Sequence, residues 1–180
     1  MKVVSHEPVY LKKVEDLYVL KDTQINKIRY HGDYHLGQVL KTAEDFVIFD
    51  FEGEPLRPLE ERRVKHSPLR DVAGMLRSFN YAAYAGLFHF SETGQADWTF
   101  LERWGRAWEA LVCHAFLKGY KEETLKRSAR FLPPSEEMIH KVLSVFQLDK
   151  AMYELNYEIN NRPSWLKIPI QGIKAATGGF

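Results

Sequence analysis

Residues 29–40 read RYHGDYHLGQVL, and FDFEGEP follows at 49–55. The first stretch sets His31, Asp33, His35 and Gln38 beside Gly32 and Gly37, between apolar flanks. Short runs rich in Val, Ile, Phe or Tyr at 27–30, 38–41 and 46–51 read as three strands. The polar cluster is then a loop between the first two strands, and the third ends at Asp50. Asp and Gly favour turns, so Asp33 alone would say little. A loop carboxylate can also orient a hydroxyl and accept its proton as the oxygen attacks phosphorus. The Gln38 amide oxygen and the Asp50 carboxylate are hard ligands suited to Mg²⁺, which keeps waters and phosphate oxygens as its other ligands. Antiparallel strands leaving the loop would bring Gln38 and Asp50 together.

The remainder of the chain reads as helical. Its 180 residues, 45% hydrophobic and 13% aromatic, are enough for one domain with a real core. Ser67-Pro68 looks like a helix start, and Val72, Met75, Leu76, Phe79 and Ala83 keep helical spacing to about Phe88. Asp97 can cap the next helix, whose stripe of Leu101, Trp104, Trp108, Leu111 and Phe116 is expected in the core. A third helix runs from Ser135 to about Asn160, and residues 7–20 fit a leading helix in part. A small β cluster followed by helices argues an α+β, predominantly helical fold. No glycine precedes Gly32, and no later glycines form a phosphate-binding fingerprint.

Composition narrows the partners. Lys+Arg 25 against Asp+Glu 24 leaves no net field to attract nucleic acid or an anionic membrane. The basic run Arg62, Arg63, Lys65 and His66 has Glu60 and Glu61 beside it and reads as solvated surface. The single cysteine, Cys113, excludes an internal disulfide and reads as a buried, inert thiol rather than a nucleophile. No apolar leader or membrane-length stretch is present, so a cytoplasmic location is expected.

A second cluster lies in KAMYELNYEINN, residues 150–161. On a helix Lys150, Tyr153, Glu154, Tyr157 and Asn161 share one side, while Leu148, Met152, Leu155 and Ile159 share the other. Aromatic rings mixed with hydrogen-bonding groups suit the C–H patches and hydroxyls of a sugar. Asn160, Arg162 and Trp165 extend that face. An ordinary exposed helix face accounts for the same pattern.

The motif H-G-D-Y-H-L-G-Q resembles the H-G-D-x-H-x-x-N catalytic loop of the aminoglycoside-phosphotransferase branch of protein-kinase-like enzymes. Asp50-Phe51-Glu52-Gly53 resembles their metal-binding D-F-G element. The likeness is closer still to bacterial maltokinases, which read H-G-D-Y-H-L-G-Q-V-L, I-D-F-E-G-E-P and S-P-L-R-D-V-A-G-M-L-R-S-F. Here these are residues 31–40, 49–55 (with Phe49 for Ile) and 67–79. The resemblance runs from about residue 25 to the end.

That resemblance implies a protein-kinase-like C-terminal lobe transferring the ATP γ-phosphate to the anomeric hydroxyl of maltose, with Mg²⁺, in trehalose and glycogen metabolism. Asp33 matches the catalytic aspartate. Gln38 matches the metal ligand that is Asn in most kinases, and Asp50 matches the chelating aspartate. His31 and His35 shape the loop, and Asp71 matches the aspartate that ties its helix to the loop backbone. Glu52 and Glu54 lie near the metal in sequence, though solvent exposure explains them equally well. In such proteins the acceptor site lies in the C-terminal helical region, which favours sugar binding by Lys150, Tyr153, Glu154, Tyr157, Asn160, Arg162 and Trp165.

A single domain is expected over 1–180. It comprises a leading helical segment (1–24), catalytic and metal loops (25–55) and a helical sugar-binding part (67–180). The nucleotide lobe is expected to be absent, leaving the chain inactive alone. It would then be a fragment, a truncated product or the tail of a trehalose synthase–maltokinase fusion, with trehalose synthase a possible partner. Two other readings stand beside this one: a non-catalytic module docking trehalose synthase, and another small-molecule kinase of the aminoglycoside type.

Overall fold

Ser67 and Pro68 begin the helix on which the other elements assemble. The Ser67 hydroxyl accepts from the Leu69 amide at 3.3 Å, and proline supplies a helical φ where no amide is needed. This helix, α3 (Leu69–Ser91), runs past the expected end near Phe88. The computed structural model describes residues 7–178 apart from 22, 24, 92–96 and 128, so part of the leading segment 1–24 lies outside the described residues. Elements ahead of α3 are helix α1 (Glu7–Glu15), strands β1 (Val39–Lys41) and β2 (Phe46–Ile48), and the short α2 (Leu59–Arg63). After it come α4 (Trp98–Lys126), α5 (Glu136–Asn161) and α6 (Lys167–Thr177).

The capping residues act as their chemistry requires. Asp97 accepts from the Thr99 amide at 2.9 Å, and Ser135 accepts from the Met138 amide at 3.2 Å. Leu69, Val72, Met75, Leu76 and Phe79 of α3 pack against Ile139, Val142 and Leu143 of α5 to form the main core. Leu17 and Leu20, on a 3₁₀ turn after α1, pack onto it. Ile173 of α6 joins Leu148 and Ala151 of α5 in a second cluster. Burial of these side chains, at roughly 1.5–3 kcal/mol each, is what the helical spacing provides for.

Three expectations change. The first of the three strands does not form, because Ile28 pairs with His66 in a single antiparallel bridge and not with the hairpin. The sheet has two strands, in register Val39 with Ile48 and Lys41 with Phe46, and the second ends before Asp50. Trp104, Trp108 and Leu111 are not core: Trp104 is 65% and Leu111 71% exposed. Helix α4 approaches α3 at Gly105, where an added Cβ would lie 2.9 Å from Leu87, so the contact face is rotated away from those side chains. Periodicity marked the apolar strip but not which edge of it meets a partner. Ile159, on the apolar side of α5 with Leu148 and Met152, is likewise exposed.

The third change concerns charge. Glu154 does not join the surface face with Lys150 and Tyr153. It is buried, and Arg77 Nε and Nη2 donate to its Oε2 at 2.9 and 2.7 Å. Arg77 Nη1 also donates to Asn80 at 3.1 Å, and Gly172 of α6 leaves room for the guanidinium. Burial pushes the Glu154 carboxyl up, and Arg77 opposes that shift. Removing one partner of such a pair strands the other without compensation. Glu154→Ala is therefore expected to lower the unfolding free energy by about 3–5 kcal/mol. Urea denaturation checks this, and an unchanged midpoint would contradict the pairing.

Candidate functional site

Helix α3 has a second face that holds the 31–36 loop. Asp71 accepts two backbone bonds, from the amide of His31 at 2.6 Å (to Oδ2) and of Gly32 at 2.9 Å (to Oδ1). One turn on, Gly74 admits the Tyr34 carbonyl, which an added Cβ would meet at 2.8 Å. One turn further, Ser78 Oγ accepts from the Leu36 amide at 2.9 Å. Positions i, i+3 and i+7 lie on one side of a helix, so a single stripe grips the loop backbone at three places.

The loop meets the FDFEGEP segment through two glycines. Gly32 has φ 89° and Gly53 φ 80°, both in the region that favours glycine. A Cβ on Gly32 would lie 2.9 Å from the Gly53 Cα, so that close approach needs glycine. His31 adds a second tie. It is buried, its Nε2 donates to the Phe49 carbonyl at 2.7 Å, and its Nδ1 accepts from the Asp33 amide at 3.3 Å. Asp50 follows Phe49 directly and has φ 63°, a strained setting for a residue with a side chain.

Asp50 and Gln38 come together there, with Gln38 Nε2 donating to Asp50 Oδ2 at 2.9 Å. Gln38 sits on the 3₁₀ turn Leu36–Gln38 just ahead of β1, not within the strand. Among the described residues no group of three or more His, Cys, Asp or Glu could hold a metal. A Mg²⁺ ion would therefore rest on one carboxylate and one amide oxygen. That donor set fits an ion which keeps its waters and shares nucleotide phosphates.

Asp33 faces the other way, toward α5. His35 Nε2 is 3.7 Å from its Oδ2, and Lys150 Nζ is 3.4 Å from its Oδ1. Burial would raise the Asp33 pKa, but His35 and Lys150 outweigh it and hold the group at about 2. Lys150 Nζ also meets Glu54 Oε2 at 3.0 Å, and Tyr153 donates its hydroxyl to Glu54 Oε1 at 3.0 Å. Burial would lower the Lys150 pKa, yet Glu54 and Asp33 together raise it. A cavity of about 30 Å³ is lined in part by Asp33, Glu54, Lys150 and Tyr153.

Of the residues expected to face a sugar, Lys150 reaches Asp33, and Tyr153 is joined to it through Glu54. Tyr157 lies one turn on and half open, with the Arg162 guanidinium 5.5 Å from its ring. Arg162 also pairs with the buried Glu158 at 2.7 Å and lies 4.7 Å from the Trp165 ring. Asn160 donates to the Asn156 carbonyl, and Trp165 stacks on Tyr81 at 6.3 Å. Glu154 is turned inward. Glu54, which the sequence left open between a place near the metal and solvent exposure, does something else: its two oxygens join Lys150 and Tyr153 across 96 and 99 residues, which no local spacing records. Cys113 stays outside the site, and burial pushes its thiol up to about 11, away from nucleophile chemistry.

Because the folded pKa of Asp33 lies below the ordinary carboxylate value, its charge stabilises the fold above about pH 4. That contribution is lost as pH falls toward 2. Lys150→Met removes one of the groups that hold it down. The Asp33 titration, followed by carboxyl NMR, should then move upward. An unmoved titration would contradict the Lys150 contact.

No protein-family model matches the chain. It is 26% identical over 159 residues to a glucosamine kinase of Streptacidiphilus jiangxiensis, covering 87% of this chain and 34% of that protein. It is 30% identical over 148 residues to a glucosamine kinase of Mycolicibacterium smegmatis, covering 81% and 33%. The chain spans about a third of the length of these curated relatives. Among solved structures, a glucosamine kinase in complex with glucosamine, ADP and inorganic phosphate superposes with TM-score 0.76. The match covers 93% of this chain and 37% of that one, at 24% identity. A second crystal form of a glucosamine kinase gives TM-score 0.78 over 98% of this chain and 40% of that one, at 22% identity. The chain shares the fold of part of these kinases. Among the described residues no helix is long and apolar enough to cross a membrane.

Proposed function

We propose that this chain supplies the acceptor- and metal-binding part of an ATP-dependent sugar kinase, with maltose as acceptor and maltose 1-phosphate as product. The observation that carries the reading is the placement of Asp33. Its loop also carries Gln38, which bonds Asp50, while its own carboxylate meets Lys150, joined through Glu54 to Tyr153 at one end of an aromatic stripe. Phosphoryl transfer asks for little else from a protein than positioning and charge neutralisation.

In this reading Asp33 accepts a hydrogen bond from the anomeric hydroxyl and aims its oxygen at the γ-phosphorus. The new O–P bond forms as the bond to ADP breaks, and the hydroxyl proton passes to Asp33. A carboxyl held at about 2 stays charged at neutral pH and is a weak base, so it orients the hydroxyl more than it activates it. That balance suits a loose transition state, in which the nucleophile needs little activation. Lys150 and His35 keep the carboxylate charged until the sugar arrives. Mg²⁺, when bound at Asp50 and Gln38, would neutralise phosphate charge. Glu54 holds Lys150 and the Tyr153 ring as one wall of the acceptor site.

The length of the stripe supports a disaccharide. From Lys150 through Tyr153 and Tyr157 to Asn160 it extends about 15 Å along α5, more than one pyranose ring occupies. The residue matches at 31–40, 49–55 and 67–79 point the same way. A second reading, glucosamine as acceptor, follows from the names of the curated relatives.

The two acceptors separate in one assay. ADP release is measured with ATP–Mg²⁺ and either maltose or glucosamine, using the protein that carries this sequence. Maltose is expected to be turned over, with its phosphate on the anomeric oxygen by ³¹P NMR. Asp33→Asn should lower kcat by about 10²–10⁴. Turnover of glucosamine but not maltose would overturn the disaccharide reading, and an unaffected Asp33→Asn enzyme would remove Asp33 from its role.

A further inference from the structure

Lys150 holds a place that a substrate cation would otherwise take. Its Nζ lies 3.0 Å from Glu54 Oε2 and 3.4 Å from Asp33 Oδ1, bridging two carboxylates. Those carboxylates are largely withdrawn from solvent, with side-chain exposures of 12% for Glu54 and 18% for Asp33. The Tyr153 ring lies beside the ammonium, 5.0 Å from its centroid. The other charges that line the same cavity are already paired. Arg70 and Arg57 share Asp149 at 3.0 and 3.9 Å, and Asp71 accepts the two loop amides. His35 also faces Asp33, at 3.7 Å.

The direction of hydrogen bonding makes that ammonium selective. It donates and has no lone pair to accept with. A hydroxyl beside it can accept from Lys150 and donate to Glu54. A second ammonium can only donate, and it meets a like charge where solvent screens the repulsion least. With the anomeric hydroxyl on Asp33, the substituent on the neighbouring ring carbon stands gauche to it. That substituent therefore shares the field of the cation bound to Asp33.

We propose that Lys150, held by Glu54, is the specificity-determining residue of the acceptor site. It admits a sugar with a neutral hydroxyl on the carbon next to the anomeric centre and turns away a sugar with an ammonium there. This rests on the reading of Asp33 as the group that receives the anomeric hydroxyl. Without Lys150, Asp33 and Glu54 would be two neighbouring carboxylates in need of a cation, and a 2-amino sugar supplies one.

The test compares glucose with glucosamine, which differ only at that carbon. Binding is followed by NMR titration without nucleotide or magnesium, at a pH where the amine is charged. In the wild-type protein glucose is expected to bind more tightly. Lys150→Met should reverse the order, tightening glucosamine by about tenfold or more, and the gain should fade as the amine loses its proton. Lys150→Arg keeps a cation and should keep the wild-type order. Adding Glu54→Gln to Lys150→Met should cancel the gain. Tighter binding of glucosamine than of glucose by the wild-type protein would overturn the proposal, whether or not the variants fold. So would a folded Lys150→Met protein that gains nothing for glucosamine. Failure of the kinase reading shows differently, as maltose left unphosphorylated while these preferences hold.

Discussion

Two hydrogen bonds organise this molecule around its site: those that the Asp71 carboxylate accepts from the backbone of His31 and Gly32. A bond to a charged group contributes about 1.5–3 kcal/mol where a neutral one gives about 1. Here both fall on consecutive amides of one turn. They fix the direction in which the next residue, Asp33, leaves the loop. Because Asp71 stands at the start of α3, whose opposite face is the main core, the loop inherits the rigidity of that core. Burial pushes the Asp71 carboxyl up, and the two amides offset that shift only in part.

From that tether the rest of the site follows by contact. The Gly32–Gly53 approach and the His31–Phe49 bond carry the second segment into place, and with it Asp50 beside Gln38. Asp33 is left to face α5, where Lys150 joins it to Glu54 and Tyr153. Asp50 thus pairs with a neutral amide, while Asp33 carries its own cation in Lys150. This asymmetry is what a phosphoryl donor and a sugar acceptor meeting at Asp33 would require.

Much of this was legible in the chain itself, for identifiable reasons. Helix starts at Ser67-Pro68, Asp97 and Ser135 depend on local hydrogen bonds, so local residues announce them. Motif spacing placed Gln38 near Asp50 even though one of the three expected strands is a lone bridge at Ile28. What stayed hidden depends on pairs far apart in sequence. Glu54 could be near the metal or merely solvated until Lys150 and Tyr153 closed on it, and Glu154 looked like surface until Arg77 claimed it. Trp104 and Trp108 share an apolar strip with true core residues, and only the close approach at Gly105 decides which edge is covered.

The most direct measurement is the steady-state kinetics of Asp71→Asn, taken well below its melting temperature. Asparagine keeps one acceptor oxygen and replaces the other with a donor, so one of the two loop amides loses its partner while the side chain keeps its size. If the tether sets Asp33, kcat for sugar phosphorylation should fall by at least about tenfold, with sugar KM little changed. Wild-type kcat in that variant would contradict the account.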